Sequence, residues 1–222
     1  MSKTILAFET SISNCSVSLL YKNCIYNDNK ICNKNQTQYI LPMIKKILKK
    51  NSVCLNEIDI IAIPKGPGNF IGTRTAIAIA QGLSLGLRIP IISLSTTLII
   101  AEQAWKTFKQ PRILIILKIT ETKIYLVQHE KMQKNYWKTI NSKKIFTISE
   151  VIKKMYSLKN KWIVIGDNLK LFSQDVYKNL KFTNVSFPKS EFIISLYLSN
   201  SRYKKCQLSH TIFPIYFQKS IF

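Results

Sequence analysis

The stretch Lys65-Gly-Pro-Gly-Asn-Phe-Ile-Gly-Thr-Arg74 decides how the chain is to be read. Before it, Ile58, Ile60, Ile61, Ala62 and Ile63 form an apolar run that predicts a buried strand closed by Pro64. After it, residues 73–87 are rich in small side chains and predict a helix. Ala76, Ala80 and Ser84 fall on one line of that helix, and Ala78, Gly82 and Gly86 on another. Strand, glycine-rich turn and helix in this order bring free backbone N–H groups and a positive helix end to one place, which suits an anion. The pattern is neither G-x-x-x-x-G-K-[ST] nor G-x-G-x-x-G, so a turn that merely joins strand to helix explains it as well.

Toward the N-terminus, residues 3–8, 15–21 and 24–31 read as three antiparallel strands, with Asn27, Asp28 and Asn29 interrupting the third. Between the first two lies Glu9-Thr-Ser-Ile-Ser-Asn14, whose hydroxyls either approach a nucleotide phosphate or satisfy the hairpin itself. Residues 37–50 predict an amphipathic helix, bent near Pro42. Ile40, Leu41, Ile44, Ile47 and Leu48 line one face, with Lys45, Lys46, Lys49 and Lys50 opposite. Such a stripe packs against a sheet or is shared with a partner.

Toward the C-terminus, residues 89–94 predict a strand and 98–106 a helix capped by the Ser95-Thr-Thr97 run. The order βββαβαβα is that of a ribonuclease-H-like half of an actin-type fold. After Pro111 the pattern restarts with strands at 113–117, 124–127 and 136–140. A helix over 150–156 capped by Ser149 follows, then a strand over 162–165, a helix near 171–177 and a last helix over 191–203. The apolar tail at 212–217 is expected to dock on the body. The division expected is residues 1–107 as one unit and 108–222 as a shortened second one.

With 222 residues and 46% hydrophobic content the chain can bury a proper core. No apolar run approaches the roughly 20 residues of a membrane span, and the first residues do not resemble a signal peptide. A cytoplasmic protein is expected. Five cysteines without a C-x-x-C pair, and two distant histidines, His129 and His210, argue against a zinc site, a disulfide framework or a histidine-held catalytic metal. The net charge of +22 divides into +6 over residues 1–104 and +16 over 105–222. A nucleic-acid-facing second half would account for that asymmetry. Yet only Arg74, Arg88, Arg112 and Arg202 among the 33 basic residues are arginine, the better residue for bidentate recognition. A/T-biased codon usage, which raises Lys, Asn and Ile together, is the competing explanation.

Together with Gly66-Pro-Gly-Asn-Phe-Ile-Gly-Thr-Arg74, the segments Ile5-Leu-Ala-Phe-Glu-Thr-Ser11, Cys15-Ser-Val-Ser-Leu19, Thr37-Gln-Tyr-Ile-Leu-Pro-Met43 and Ile79-Ala-Gln-Gly-Leu-Ser-Leu-Gly86 resemble the TsaB (YeaZ) family. That family is needed to make threonylcarbamoyladenosine in tRNA. The resemblance is close over residues 1–104 and weak beyond Trp105, where the Pro214-Ile-Tyr216 tail still fits. It implies a two-lobed actin/Hsp70-like α/β fold. It also implies a non-catalytic scaffold without cofactor or metal, which reaches tRNA only through a complex. In that complex a TsaD-type catalytic subunit transfers threonylcarbamoyl to the adenosine 3′ of the anticodon, in tRNAs reading codons that begin with A, and a TsaE-type ATPase assists. Alone, such a chain can form a homodimer. The family pairs through the helices matching residues 37–50 and 73–87. The resemblance therefore places the partner interface on Ile40, Ile44, Ile47, Ala76, Ala80 and Ser84. It marks Gly66, Pro67, Gly68, Asn69, Phe70, Gly72 and Arg74 as the glycine-loop motif.

The chain departs from the family at Glu9 (for Asp), Gln36 (for His), and Asn69 and Ile71 (for Ser and Thr). It departs further at Lys118-Ile-Thr120 (for Asp-Ala-Arg) and Gln218 (for Arg). These changes remove polar pairs and weaken any nucleotide site in this chain. The rival readings are an actin-fold ATP-binding enzyme and a glycoprotease-like peptidase, which would need a nucleophile–base pair.

Overall fold

The computed structural model describes residues 3–12, 14–32, 35–141, 145–166, 169–172, 177–183, 187–204 and 212–216. The chain divides into two compact units. Met1–Ile99 and Phe187–Phe222 make the first, and Ile100–Ser186 the second.

In the first unit β1 (Ile5–Glu9), β2 (Asn14–Tyr21) and β3 (Cys24–Ile31) form an antiparallel meander, after which β4 (Ile60–Pro64) and β5 (Ile91–Leu94) add in parallel to β1. The strand order is β3-β2-β1-β4-β5. Alternation along β2 assigns its two faces. Cys15, Val17 and Leu19 enter a core built with α1 (Gln36–Lys50) and α2 (Phe70–Leu87). On the other face, Ser16 and Ser18 each place a hydroxyl on Ser190 Oγ, at 2.8 and 2.7 Å, where α5 (Glu191–Ser199) begins. Both faces of β2 are thus covered, and the hydroxyls facing α5 are all hydrogen-bonded. The β3 edge is exposed along its length.

The second unit repeats the plan. β6 (Arg112–Lys118), β7 (Lys123–Lys131) and β8 (Trp137–Thr139) run antiparallel, and β9 (Ile145–Thr147) also pairs with β7. β10 (Trp162–Gly166) and β11 (Leu180–Thr183) then add in parallel beside β6. The order β8-β7-β6-β10-β11 mirrors that of the first sheet. α3 (Thr96–Phe108) links the two units in sequence, and α4 (Ile148–Tyr156) packs on the second sheet. The fold class is therefore the expected α/β arrangement with an abbreviated second unit.

Several boundaries differ from the sequence reading. The second unit begins near residue 100, not 108, and the last helix and the tail group with the first unit. They do so because Ser190 bonds to β2 and Ile215 to the glycine loop. α4 is capped by Thr147 through a capping box with Glu150, not by Ser149. β9 and β11 are too short to give a period-2 signal. Of the helix predicted near 171–177 only Leu171 is helical among the described residues, as the end of a short turn at Leu169–Leu171, and residues 173–176 lie outside those described. His210 and Gln218 also lie outside the described residues. α2 is long and apolar enough to cross a membrane by length and composition alone, with about a third of it buried. This corrects the expectation of no such run, which arises because the small residues of α2 do not form an unbroken bulky stretch in the sequence.

Candidate functional site

The glycine loop is a junction of four chain segments. Its Lys65 carbonyl accepts from Ile215 N at 2.6 Å, its Gly66 carbonyl from Thr96 N at 2.9 Å, and Asn69 N donates to the Ser11 carbonyl at 2.6 Å. Gly66 sits at φ +91°, in the left-handed region that favours glycine, and a Cβ there would overlap the Ile215 carbonyl. Gly68 backs onto Ser11, and the buried Pro67 follows a cis peptide bond. At Gly72 a Cβ would fall on the Thr10 carbonyl, while Thr10 Oγ1 donates to the Gly72 carbonyl at 2.7 Å. These glycines allow backbones to touch.

At the start of α2 the N–H groups of Asn69, Ile71, Gly72 and Thr73 are already taken within the chain. Asn69 caps α2 with Oδ1 accepting from Ile71 N and Gly72 N at 3.0 and 3.2 Å, and its carbonyl takes Thr73 N at 2.9 Å. The cradle suggested by strand, turn and helix is thus filled from within. Beside it Phe70 and Arg74 meet the tail. Phe70 stacks on Tyr216 with centroids 5.6 Å apart, Arg74 lies 3.7 Å over the Phe70 ring, and its Nε donates to Tyr216 Oη at 2.7 Å. Gln36, at the start of α1, donates from Nε2 to the Ile12 carbonyl at 2.8 Å.

Glu9 closes β1 at 1% exposure. Its carboxylate accepts from Ser11 N and, at 3.1 Å, from Ser11 Oγ, which also lies 3.2 Å from Thr96 Oγ1. Burial pushes the Glu9 carboxyl up to about 7 against the hydrogen bonds that favour its charged form. An acid with a higher pKa folded than unfolded binds more protons in the folded state. Its contribution to stability is therefore full below about 4.5 and is lost as pH rises to about 7. Glu9→Gln removes that titration, so urea unfolding should show the variant gaining on the parent by about 2–3 kcal/mol between pH 4.5 and 7.5. A difference independent of pH would mean that Glu9 binds its proton equally in the folded and unfolded chain.

The structure corrects the interface expected from sequence. Ile40, Ala76 and Ala80 are fully buried, and Ile44, Ile47 and Ser84 nearly so, all within the first unit. Ser84 Oγ, moreover, donates to the Ile89 carbonyl at 2.5 Å. Side chains without accessible area cannot present a surface. The stripe of α1, Leu41 excepted, and the Ala76–Ala80–Ser84 line are core.

What α2 presents outward is the other line. Ala78, Gly82, Leu85 and Gly86 are exposed, as are Ile71 and Arg74 toward its start, so they form one strip that is apolar except at Arg74. A Cβ at Gly82 or Gly86 would meet no atom within 4 Å. Among the described residues nothing requires glycine at either position. The i, i+4 spacing revealed both lines, but only one of them could be bulky-neighboured and inward. α1 adds the exposed Leu41 and Pro42 together with Lys45, Lys46, Lys49 and Lys50.

Among the described residues no group of three His, Cys, Asp or Glu side chains could hold a metal ion. His129 is buried, 3.3 Å from Thr139 Oγ1 through Nδ1 and edge-on to Trp137.

A family model described as TsaD, tRNA N6-adenosine threonylcarbamoyltransferase, matches residues 21–194. A Buchnera aphidicola protein named tRNA threonylcarbamoyladenosine biosynthesis protein TsaB is 48% identical over 97% of this chain and 98% of its own length. The protein of that name from Haemophilus influenzae is 28% identical over 98% of this chain and 94% of its own. YeaZ from Pseudomonas aeruginosa superposes with a TM-score of 0.80 at 22% identity, covering 97% of this chain and 100% of that one. A Pseudomonas aeruginosa structure described as similar to peptidase YeaZ superposes with a TM-score of 0.86, again at 22% identity, covering 98% and 100%. The near full-length match at 48% identity, with the transferase-family model spanning most of the chain, shows that this chain belongs to the TsaB family.

Proposed function

We propose that the chain is a non-catalytic scaffold subunit for threonylcarbamoyl transfer to tRNA, and that it pairs with a TsaD-type catalytic subunit through the outward strip of α2. The scaffold serves a complex in which a TsaE-type ATPase also takes part and tRNA is bound by the assembly, in the cytoplasm. The observation that carries this reading is the strip itself. Ala78, Gly82 and Gly86 leave the α2 backbone uncovered along one line beside Ile71 and Leu85, with space where side chains would stand at the two glycines. Glycines cost a lone helix about 1 kcal/mol each relative to alanine, so an exposed pair at four-residue spacing is favoured where another helix comes close. A transferase subunit built on the family plan that matches residues 21–194 would offer the equivalent helices, and two related faces can then pair about a pseudo-twofold axis. In the absence of that subunit, a second copy of this chain takes its place.

Gly82→Phe tests the reading. The side chain enters open space in the single chain, so the unfolding midpoint measured at concentrations where the chain is monomeric should not fall, and Gly82→Ala should raise stability there by about 0.5–1 kcal/mol. Co-purification of the Phe variant with the catalytic subunit should be lost. Retained stoichiometric co-purification would refute the assignment of this face. Independently, loss of the gene should deplete threonylcarbamoyladenosine from bulk tRNA nucleosides measured by mass spectrometry.

A further inference from the structure

The geometry points to a second binding site, for the phosphate backbone of tRNA, in the cavity at the β10–β11 edge of the second unit. The cavity, of about 250 Å³, is lined by Phe108, Gln110, Lys161, Lys178, Asn179 and Lys181 over a floor that includes Trp162. No carboxylate is among its lining residues. The three lysines are exposed, and none of them takes part in an ion pair among the described residues. They stand on ordered backbone. β10 and β11 pair with Trp162 opposite Leu180 and Ile163 opposite Lys181, and Trp162 N donates to the Asn179 carbonyl at 2.9 Å. Asn179 Nδ2 in turn donates to the Leu158 and Lys159 carbonyls, at 3.3 and 3.2 Å, which ties the approach to β11 onto the turn after α4.

The chemistry of the lining selects the ligand. Ammonium groups without acidic neighbours bind phosphate as point charges and carry no base preference. Half-buried Phe108 presents a ring with Lys181 Nζ 5.7 Å from its centroid, an aromatic and cationic pairing of the kind on which a ribose or an unstacked base can rest. The volume lies below the roughly 300–1,000 Å³ of enclosed small-molecule sites, as befits a groove crossed by a polymer. Lys106 and Lys109, nearby in sequence at the end of α3, turn instead toward Trp105, at 5.1 and 5.4 Å from its ring. The site gathers three of the 22 basic side chains of residues 105–222 at one place. It rests on the tRNA-modification reading above for the choice of RNA over another polyanion.

The test is tRNA binding by the full-length chain between 50 and 200 mM salt. Lys161→Gln/Lys178→Gln/Lys181→Gln should weaken binding at least tenfold at 100 mM salt. It should also flatten the slope of log K against log salt by about 2–3, since each phosphate contact contributes about 0.7–0.9. The matched control is Lys45→Gln/Lys46→Gln/Lys49→Gln on α1, which should change the slope by less than about 1. Equal losses in the two triples, or no tRNA binding by the unaltered chain, would overturn the site and leave the lysines as compositional bias. The pocket triple should still co-purify with the catalytic subunit, so failure here and failure of the scaffold reading are separable.

Discussion

Lys131→Met is expected to destabilise the protein by about 3–5 kcal/mol, measured by urea unfolding, because it strands a buried carboxylate. Glu102, on α3, is fully buried, and its Oε2 accepts from Lys131 Nζ at 2.6 Å and from Trp137 Nε1 at 2.8 Å. The ammonium also lies 4.0 Å from the Trp105 ring centroid and 5.1 Å from that of Trp137. Burial lowers the Lys131 pKa, and Glu102 opposes the shift by holding the proton through its hydrogen bond and charge. Met retains the unbranched stem and removes only the charge, so the loss reports Glu102 deprived of its cation while the Trp137 bond remains. The double variant Lys131→Met/Glu102→Leu should recover most of it, since an ion pair exchanged as a unit for apolar groups is often neutral. A single-variant loss under about 1 kcal/mol would mean that water reaches Glu102.

Gly72→Ala should cost about 3 kcal/mol or more, at or beyond the upper end of overpacking penalties. The added methyl has no flexible side chain to displace. It meets the Thr10 carbonyl, which follows Glu9 at the end of β1, so either the turn or the first residues of α2 must move. Moving α2 breaks the bond from Thr10 Oγ1 to the Gly72 carbonyl and disturbs the Asn69 cap. Gly82→Ala, on the same helix with the same added atom, should stabilise instead. Opposite signs from one chemical change, read by thermal unfolding, would separate the glycine the fold requires from the one it does not. Equal effects would contradict the placement of α2.

Much of the architecture is legible in the residues because the signals are local. Period-2 alternation in β2, the apolar run of β4 and the lysine-backed stripe of α1 each depend on a few neighbours, and all three elements form where the pattern places them. The glycine loop likewise announces a strand-to-helix turn. Short β9 and β11 escape notice since three or four residues hold too little alternation, and the helix cap at Thr147 is disguised by the neighbouring Ser149.

Most of the strands and helices, the two-unit plan, the glycine junction and the family resemblance are legible in the residues alone, for these rest on spacing along the chain. Tertiary structure decided what faces outward. α2 carries small residues on both of its lines, so its apolar pattern does not choose a side; packing against β4, β5 and α1 buries Ala76, Ala80 and Ser84 and leaves Ala78, Gly82 and Gly86 bare. It also decided that the Asn69 side chain closes the anion cradle, and that α5 and the tail return to the first unit. Those outcomes depend on contacts between residues far apart in sequence, which no local period encodes.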